Sequence, residues 1–213
     1  MPPSGPWTFG LNQLLTIIGL LVTLGIATVG FRSFGKWKRE KLEERRIDIA
    51  LEALALAYEA GYVFDSIRSP MAFEGEWAEL KGVDDPVKRR TAGPFFATLK
   101  RIEHHKDYFE RVWKMQPRFM AVFGKDAADI FMKLHKARRE IEVSAGMLMR
   151  SAASGEPFRD AEFREKLEND IWNMDEKKDK IAPKVKEFVE GVEKHCQPVV
   201  VHRYARKSNT QAA

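Results

Sequence analysis

Five histidines and a single cysteine are the side chains of this sequence best suited to metal binding or nucleophilic chemistry. A di-iron helical bundle needs Glu-x-x-His on two helices, so that both ligands of each pair project into the core. The histidines do not fit that spacing, because the residues three positions before them are Arg101, Ile102, Met132, Val192 and Val199. HExxH, CxxC, GxSxG and glycine-rich phosphate loops do not occur either. We therefore expect no catalytic residue, no metal ion and no cofactor.

A less specific polar group consists of Asp65, His105 and His135. His105 falls on the apolar side of a predicted helix, whereas its neighbour His104 points about 100° away, so the two imidazoles cannot easily share a metal ion. A single inward histidine is usually a hydrogen-bonded core residue. If the three side chains converge, they predict instead a ligand or metal sensor, or an enzyme of unfamiliar type. Its site would lie between bundle helices near the loop of residues 67–93.

The longest element of the sequence is an uncharged run from Phe9 to Phe31, FGLNQLLTIIGLLVTLGIATVGF. At about 1.5 Å per residue a helix of this length covers roughly 33 Å, close to the ~30 Å hydrocarbon core of a bilayer. A single segment in hydrocarbon must satisfy its own backbone hydrogen bonds and is therefore helical. A cleaved secretory signal fits less well, because no basic segment precedes the run and its apolar core is too long. Residues 11–31 are predicted to form a retained transmembrane helix.

Charges on the two sides of this span predict its orientation. No Lys or Arg precedes it, whereas residues 32–46 contain seven of them against three Glu. Basic residues beside a membrane helix stay in the cytoplasm, so residues 1–10 should form a short outside tail and the remaining chain should be cytoplasmic. The bacterial inner membrane fits this layout best. The side chains suited to the two membrane interfaces are Trp7, Phe9, Phe31, Phe34, Lys36, Trp37, Lys38 and Arg39.

The distribution of charge argues against nucleic acid as a partner. The net charge is +5, of which residues 32–46 carry +4 and residues 202–213 carry +3, so residues 47–201 carry −2. The basic juxtamembrane segment, 32–46, instead suits anionic lipid headgroups, at about 1 kcal/mol per charge near the surface. The single cysteine, Cys196, allows no disulfide within the chain and agrees with a reducing cytoplasm.

Small or polar residues recur along the span at spacings of four, three, four, four and three, which places them on one stripe of the helix. This pattern is typical of membrane helices that approach a neighbouring helix closely. We therefore expect the span to contact a second copy of the chain or another membrane-associated protein. The stripe consists of Asn12, Thr16, Gly19, Thr23, Ala27 and Gly30.

The first helix after the span has two apolar stripes. One consists of Ile47, Leu51, Leu54, Tyr58 and Tyr62, and the other of Leu42, Ile49, Leu56 and Val63. A helix with two apolar stripes either lies at the centre of a bundle or packs on both its own domain and a partner, as in a coiled coil. This helix therefore suggests protein–protein interaction.

Three further helices are predicted by periodicity and by stop signals. The second begins at Pro94 and is interrupted by Pro117, the third runs from near Asp126 to Ser154, and the fourth begins near Asp160 with a kink at Pro183. The predicted fold is all-α: one transmembrane helix, then an antiparallel cytoplasmic bundle of about four long helices in residues 47–196. A basic disordered tail is expected over residues 197–213.

Taken together, these patterns favour a single-pass membrane protein whose cytoplasmic helical bundle is a non-catalytic interaction, scaffold or regulatory module. The lipid bilayer and a second protein molecule are the expected partners.

Overall fold

The protein is all-helical in the computed structural model, which describes the backbone of residues 10–211 and their side chains except at residues 11, 12, 126, 128 and 202–211. Within this range there are six α-helices and no strand. The helices are α1 (Leu11–Ile67), α2 (Pro86–His104), α3 (Lys106–Phe123), α4 (Ala128–Ser154), α5 (Ala161–Trp172) and α6 (Ala182–Gln211). Single 3-10 turns occur at Glu74–Trp77, Lys125–Ala127 and Glu176–Lys178. The prediction of an all-helical fold is confirmed.

The chain divides into two compact units between Arg46 and Ile47. In the first unit, α1 carries a strongly apolar window in which no side chain is buried. Among the described residues, α1 is the one helix long and apolar enough to cross a membrane. The second unit comprises the remainder of α1 and helices α2 to α6.

The helix that was predicted to begin at Pro94 is two helices, α2 and α3. The Asp85 carboxylate accepts hydrogen bonds from the amides of Val87 and Lys88 at 2.8 and 3.2 Å, so α2 starts at Pro86. Proline is well tolerated at this first position, where its missing N–H has no helical partner in any case. Pro117 does not interrupt α3, because buried residues on both sides of it hold that helix against the core.

The predicted fourth helix is likewise divided, into α5 and α6. Asn173 ends α5 in the left-handed conformation, with φ of 50°, which asparagine adopts more readily than most residues. Pro183 then lies in the first turn of α6, where it need not kink the helix. The backbone of α6 is helical through Pro198 as far as Gln211, across most of the segment predicted as a disordered tail. Disorder of that tail in solution stays a prediction.

The core of the second unit depends on a strip of small residues along α1. Ala50, Ala53, Ala57 and Ala60 have no exposed surface, which lets neighbouring helices approach closely. Aromatic rings fill the space further along the bundle, and Phe131 makes contacts with Phe119 and Phe188 at centroid distances of 5.1 and 5.4 Å. Such ring pairs add about 0.5–1.5 kcal/mol beyond the area they bury.

Basic residues of α2 bind the loop between α1 and α2, and Arg101 makes the largest number of these contacts. The Arg101 guanidinium donates to both carboxylate oxygens of Glu76 at 2.8 Å, and to the backbone carbonyls of Ser69 and Met71 at 2.7 and 2.6 Å. These hydrogen bonds from Arg101 lower the pKa of Glu76. The irregular stretch of residues 68–85 is therefore held in place by specific polar contacts.

A buried ion pair closes one end of the bundle. Arg68 follows α1 and donates to both Asp179 carboxylate oxygens, at 2.9 and 3.0 Å, while 7% and 4% of the two side chains are exposed. Arg68 also donates to the backbone carbonyls of Asp170 and Asn169 at the end of α5. Burial alone would raise the pKa of Asp179, yet the hydrogen bonds from Arg68 and the Ile181 amide outweigh it and lower that pKa. One side chain thus joins the ends of α1 and α5 to the start of α6.

Replacing Arg68 by alanine should cost about 3–5 kcal/mol of unfolding free energy, because Asp179 would remain buried without its partner. Arg111→Ala is the matched control, since Arg111 pairs with Glu59 at the surface and its loss should cost at most about 1 kcal/mol. Urea denaturation of the full chain in mild detergent, followed by circular dichroism, measures both values. Equal losses for the two variants would show that the bundle does not depend on the Arg68 ion pair.

Candidate functional site

The structure does not join the three polar residues singled out from the sequence into a mutual contact. His105 Nε2 lies 3.2 Å from the Ser66 hydroxyl, and burial lowers the pKa of His105. Asp65, next to Ser66, is exposed. His135 instead packs edge-on against Trp113, at a centroid distance of 5.0 Å. Among the described residues, no three His, Cys, Asp or Glu side chains are grouped so that they could hold a metal ion.

His135 lies in an aromatic contact between α3 and α4. Burial lowers its pKa, and the nearby positive charge of Arg138 lowers it further. The Arg138 guanidinium lies 4.9 Å from the centre of the Phe109 ring. Within the described residues neither His135 Nε2 nor Arg138 Nε has a hydrogen-bond partner. His135 therefore contributes a ring contact with Trp113, and Arg138 contributes a cation–π contact with Phe109.

The first predicted apolar stripe of α1 is divided between core and solvent. Ile47 and Leu54 are buried, whereas Leu51, Tyr58 and Tyr62 are 43%, 57% and 74% exposed. Together with the exposed Ala55, the last three lie four, three and four residues apart along α1. We call Leu51, Ala55, Tyr58 and Tyr62 the exposed α1 face. In the other predicted stripe Leu56 and Val63 are buried and Ile49 is partly buried, whereas Leu42 is 59% exposed.

Helix α3 holds α1 so that this face points away from the core. The Tyr108 hydroxyl donates to the Leu56 carbonyl at 3.0 Å, and burial raises the pKa of Tyr108. Arg111 donates to both carboxylate oxygens of Glu59, at 2.7 and 2.8 Å. Arg118 contacts Glu52 two turns earlier on α1, so the two helices run antiparallel.

The exposed α1 face combines aromatic and aliphatic side chains. Two tyrosines provide large apolar rings with hydroxyl groups, the combination enriched at the centre of protein interfaces. The acidic residues alongside, Glu52 and Glu59, are already paired with arginines of α3. Asp48 and Asp65 are exposed near the two ends of the face, so an approaching helix would meet an apolar stripe with paired glutamates beside it and acidic residues at its ends.

In the first unit the structure shows where the predicted membrane-facing residues lie. Lys36, Lys38 and Arg39 are exposed, and the rings of Phe34 and Trp37 are 5.7 Å apart. Phe31 is exposed as well, whereas Trp7 and Phe9 lie outside the described residues.

The small-residue stripe of the span is open along its described part. The Thr23 hydroxyl donates to the Gly19 carbonyl at 2.8 Å, which satisfies its proton within the helix, as an apolar surrounding requires. No atom lies within 4 Å of a Cβ built at Gly19 or Gly30. Thr16 and Ala27 are exposed, and the side chain of Asn12 lies outside the described residues. Association through this stripe stays a prediction.

Comparisons with protein-family models, with curated proteins and with solved structures found no match to this chain. The surface chemistry of the bundle is therefore the basis for inferring a function. Sequence periodicity placed Leu51, Tyr58 and Tyr62 on one apolar stripe, but it did not separate them from the buried residues of the same stripe.

Proposed function

We propose that this chain is a single-pass membrane protein whose helical bundle binds another protein molecule at the cytoplasmic face of the membrane, without catalysing a reaction. The observation that carries the proposal is the exposed α1 face. Leu51, Tyr58 and Tyr62 are exposed on a helix whose opposite side is buried in the core. A surface stripe of this kind gains free energy when a partner helix covers it.

The membrane anchor is supported by the first part of α1. Its apolar window has a mean hydropathy of 2.3, and none of its side chains is buried within the described chain. Apolar side chains that the protein itself leaves uncovered suit lipid tails. The first unit would therefore hold the bundle at the membrane and raise its local concentration relative to other membrane-associated proteins.

The orientation follows from the basic juxtamembrane segment, residues 32–46. Its seven Lys and Arg residues would stay in the cytoplasm and contact anionic lipid headgroups, with the N-terminus outside. The bacterial inner membrane is the location we propose.

Changing the charge bias should disturb insertion. In a variant with Lys36→Gln, Lys38→Gln, Arg39→Gln and Lys41→Gln, and with two lysines inserted after Pro3, the fraction of cytoplasmic bundles should fall, because orientation follows Lys and Arg near the span. In sealed spheroplasts, protease added outside should leave the native bundle intact and degrade part of the variant. Degradation of the native bundle in sealed spheroplasts would overturn the orientation, and release of the chain by alkaline carbonate would overturn the anchor.

Site-specific crosslinking tests the binding function. With a benzophenone-bearing phenylalanine in place of Tyr62, irradiation of native membranes should give a discrete adduct, because that side chain would lie inside the interface. The same photoreactive residue in place of Lys186, an exposed position on α6, is the matched control and should give little adduct. The mass of the adduct distinguishes a second copy of this chain from another membrane-associated protein.

The interface should also respond to loss of its apolar side chains. Adding Leu51→Ser and Tyr58→Ser to the photoreactive chain should reduce the adduct at least about tenfold, since interface aromatic residues each contribute on the order of 2 kcal/mol. The fold should be little affected, because exposed substitutions change the unfolding free energy by about 0.5 kcal/mol or less. Equal adducts at positions 62 and 186, or no adduct at either, would contradict the proposal.

A further inference from the structure

A cavity in the second unit lies between the start of α2, the end of α4 and the start of α5. Its volume is about 340 Å³. This is within the range of roughly 300–1,000 Å³ that is usual for sites of small ligands. The cavity is formed without any residue of the exposed α1 face, so a ligand bound in it would be independent of the protein-binding function proposed above.

The charged residues that line the cavity have one sign. Lys88 and Arg164 lie on its wall, and no Asp or Glu is among the described residues that line it. The Lys88 ammonium donates to the Ser154 carbonyl at 2.8 Å, which fixes its position over the end of α4. An ammonium group has three protons, so two remain for a bound anion. Arg164 donates from Nε to Glu168, which leaves the two terminal nitrogens of its guanidinium.

The two hydroxyl groups of the cavity wall already donate hydrogen bonds to backbone carbonyls. The Thr91 hydroxyl donates to the Val87 carbonyl at 2.9 Å, and the Ser151 hydroxyl donates to the Glu156 carbonyl at 2.6 Å. Neither hydroxyl proton is available to a ligand. Donors to a bound molecule would therefore come from the two cations.

The remaining surface of the cavity is apolar and firmly packed. Phe95 and Leu148 belong to the core, with 5% and 2% of their surface exposed, and the Phe95 ring is stacked on Trp172 at a centroid distance of 5.1 Å. Phe158 adds a third apolar side chain and packs edge-on against Phe163. The cavity thus offers an apolar floor with positive charge at its wall.

Gly155 leaves room for the end of the Lys88 side chain. It ends α4 with φ of 79°, in the left-handed region that favours glycine. A Cβ built there would lie 2.9 Å from Lys88 Cε and 3.0 Å from its Nζ. The end of the lysine therefore passes directly over a residue without a side chain, and a larger residue at position 155 would displace it.

We propose that this cavity binds a small amphipathic carboxylate, with the carboxylate at Lys88 and Arg164 and an acyl tail on the floor of Phe95, Leu148 and Phe158. Charge complementarity selects an anionic head, because Lys88 and Arg164 line the cavity, whereas Glu168, which pairs with Arg164, is not among the described residues of its wall. The apolar floor selects the tail, because it offers no hydrogen bond to a polar one.

Calorimetric titration of octanoate tests this site. The full chain is placed in nanodiscs of zwitterionic lipid, and empty nanodiscs supply the baseline for partition into lipid. Octanoate should bind, while octanamide, which has the same tail without the charge, and acetate, which lacks the tail, should bind at least about tenfold more weakly, the equivalent of 1.4 kcal/mol. Equal affinity for octanoate and octanamide, or no binding of octanoate at millimolar concentration, would overturn the proposal.

Substitutions in the cavity wall test whether octanoate binds in this cavity. Lys88→Gln should weaken octanoate binding about tenfold, whereas Lys106→Gln, which removes the same charge from an exposed position on α3, should leave it unchanged. Thr91→Trp should block the tail from the exposed rim, where folding is little disturbed, and Thr91→Ala is its control. Unaltered binding by both Lys88→Gln and Thr91→Trp would rule out this cavity.

A final titration distinguishes a free carboxylate from a membrane lipid as the ligand of the cavity. Octanoate affinity should be the same in zwitterionic nanodiscs and in nanodiscs that contain anionic phospholipid. Loss of octanoate binding in the anionic nanodiscs would identify a lipid as the occupant and overturn the assignment to a small carboxylate.

Discussion

Close packing along one side of α1 is the constraint on which the second unit depends. Ala50, Ala53, Ala57 and Ala60 are completely buried, and larger side chains at these positions would push the neighbouring helices apart. The antiparallel contact with α3 follows from this approach, because it brings the Tyr108 hydroxyl within 3.0 Å of the α1 backbone. Because that side of α1 is buried in the core, the opposite side faces outward even though it carries apolar residues.

The outward side of α1 is where fold and proposed function meet. A helix that served only the fold would gain solubility from polar residues at these positions, yet the chain has Leu51, Ala55, Tyr58 and Tyr62 there. The ion pairs of Glu52 and Glu59 with α3 contribute little to stability at the surface. Each pair places a positive charge beside a negative one next to the apolar stripe.

Periodicity and capping residues predicted much of the fold because both signals are local. The third predicted helix corresponds to α4, whose end at Ser154 follows from the left-handed Gly155. The Asp160 carboxylate caps α5 at the predicted place by accepting from the Phe163 amide. The divisions at His105 and at residues 173–181 were missed, because no proline or glycine marks the first and an asparagine marks the second.

Non-local contacts could not be predicted from one sequence. Arg68 and Asp179 are more than one hundred residues apart in the chain, and nothing around either residue indicates its partner. The cavity next to Lys88 likewise needs the start of α2 to meet α4 and α5, which lie much further along the chain. Among the predicted polar residues, His105 found its partner in Ser66, a residue that periodicity did not single out. Apolar spacing showed that α1 has two stripes, but only packing showed which residues the core leaves exposed.

The rate at which a thiol on the exposed α1 face is modified tests the central claim most directly. Ala55→Cys introduces a small side chain within the stripe, and the native Cys196 should not interfere, because burial protects it and raises its pKa to about 12. A membrane-impermeant maleimide is applied to opened native membranes and to the same protein diluted in mild detergent, with Lys186→Cys as control. We predict modification of Ala55→Cys at least about tenfold slower in the membranes than after dilution, with no such difference for Lys186→Cys. Equally fast modification of Ala55→Cys under both conditions would show that no partner covers this face.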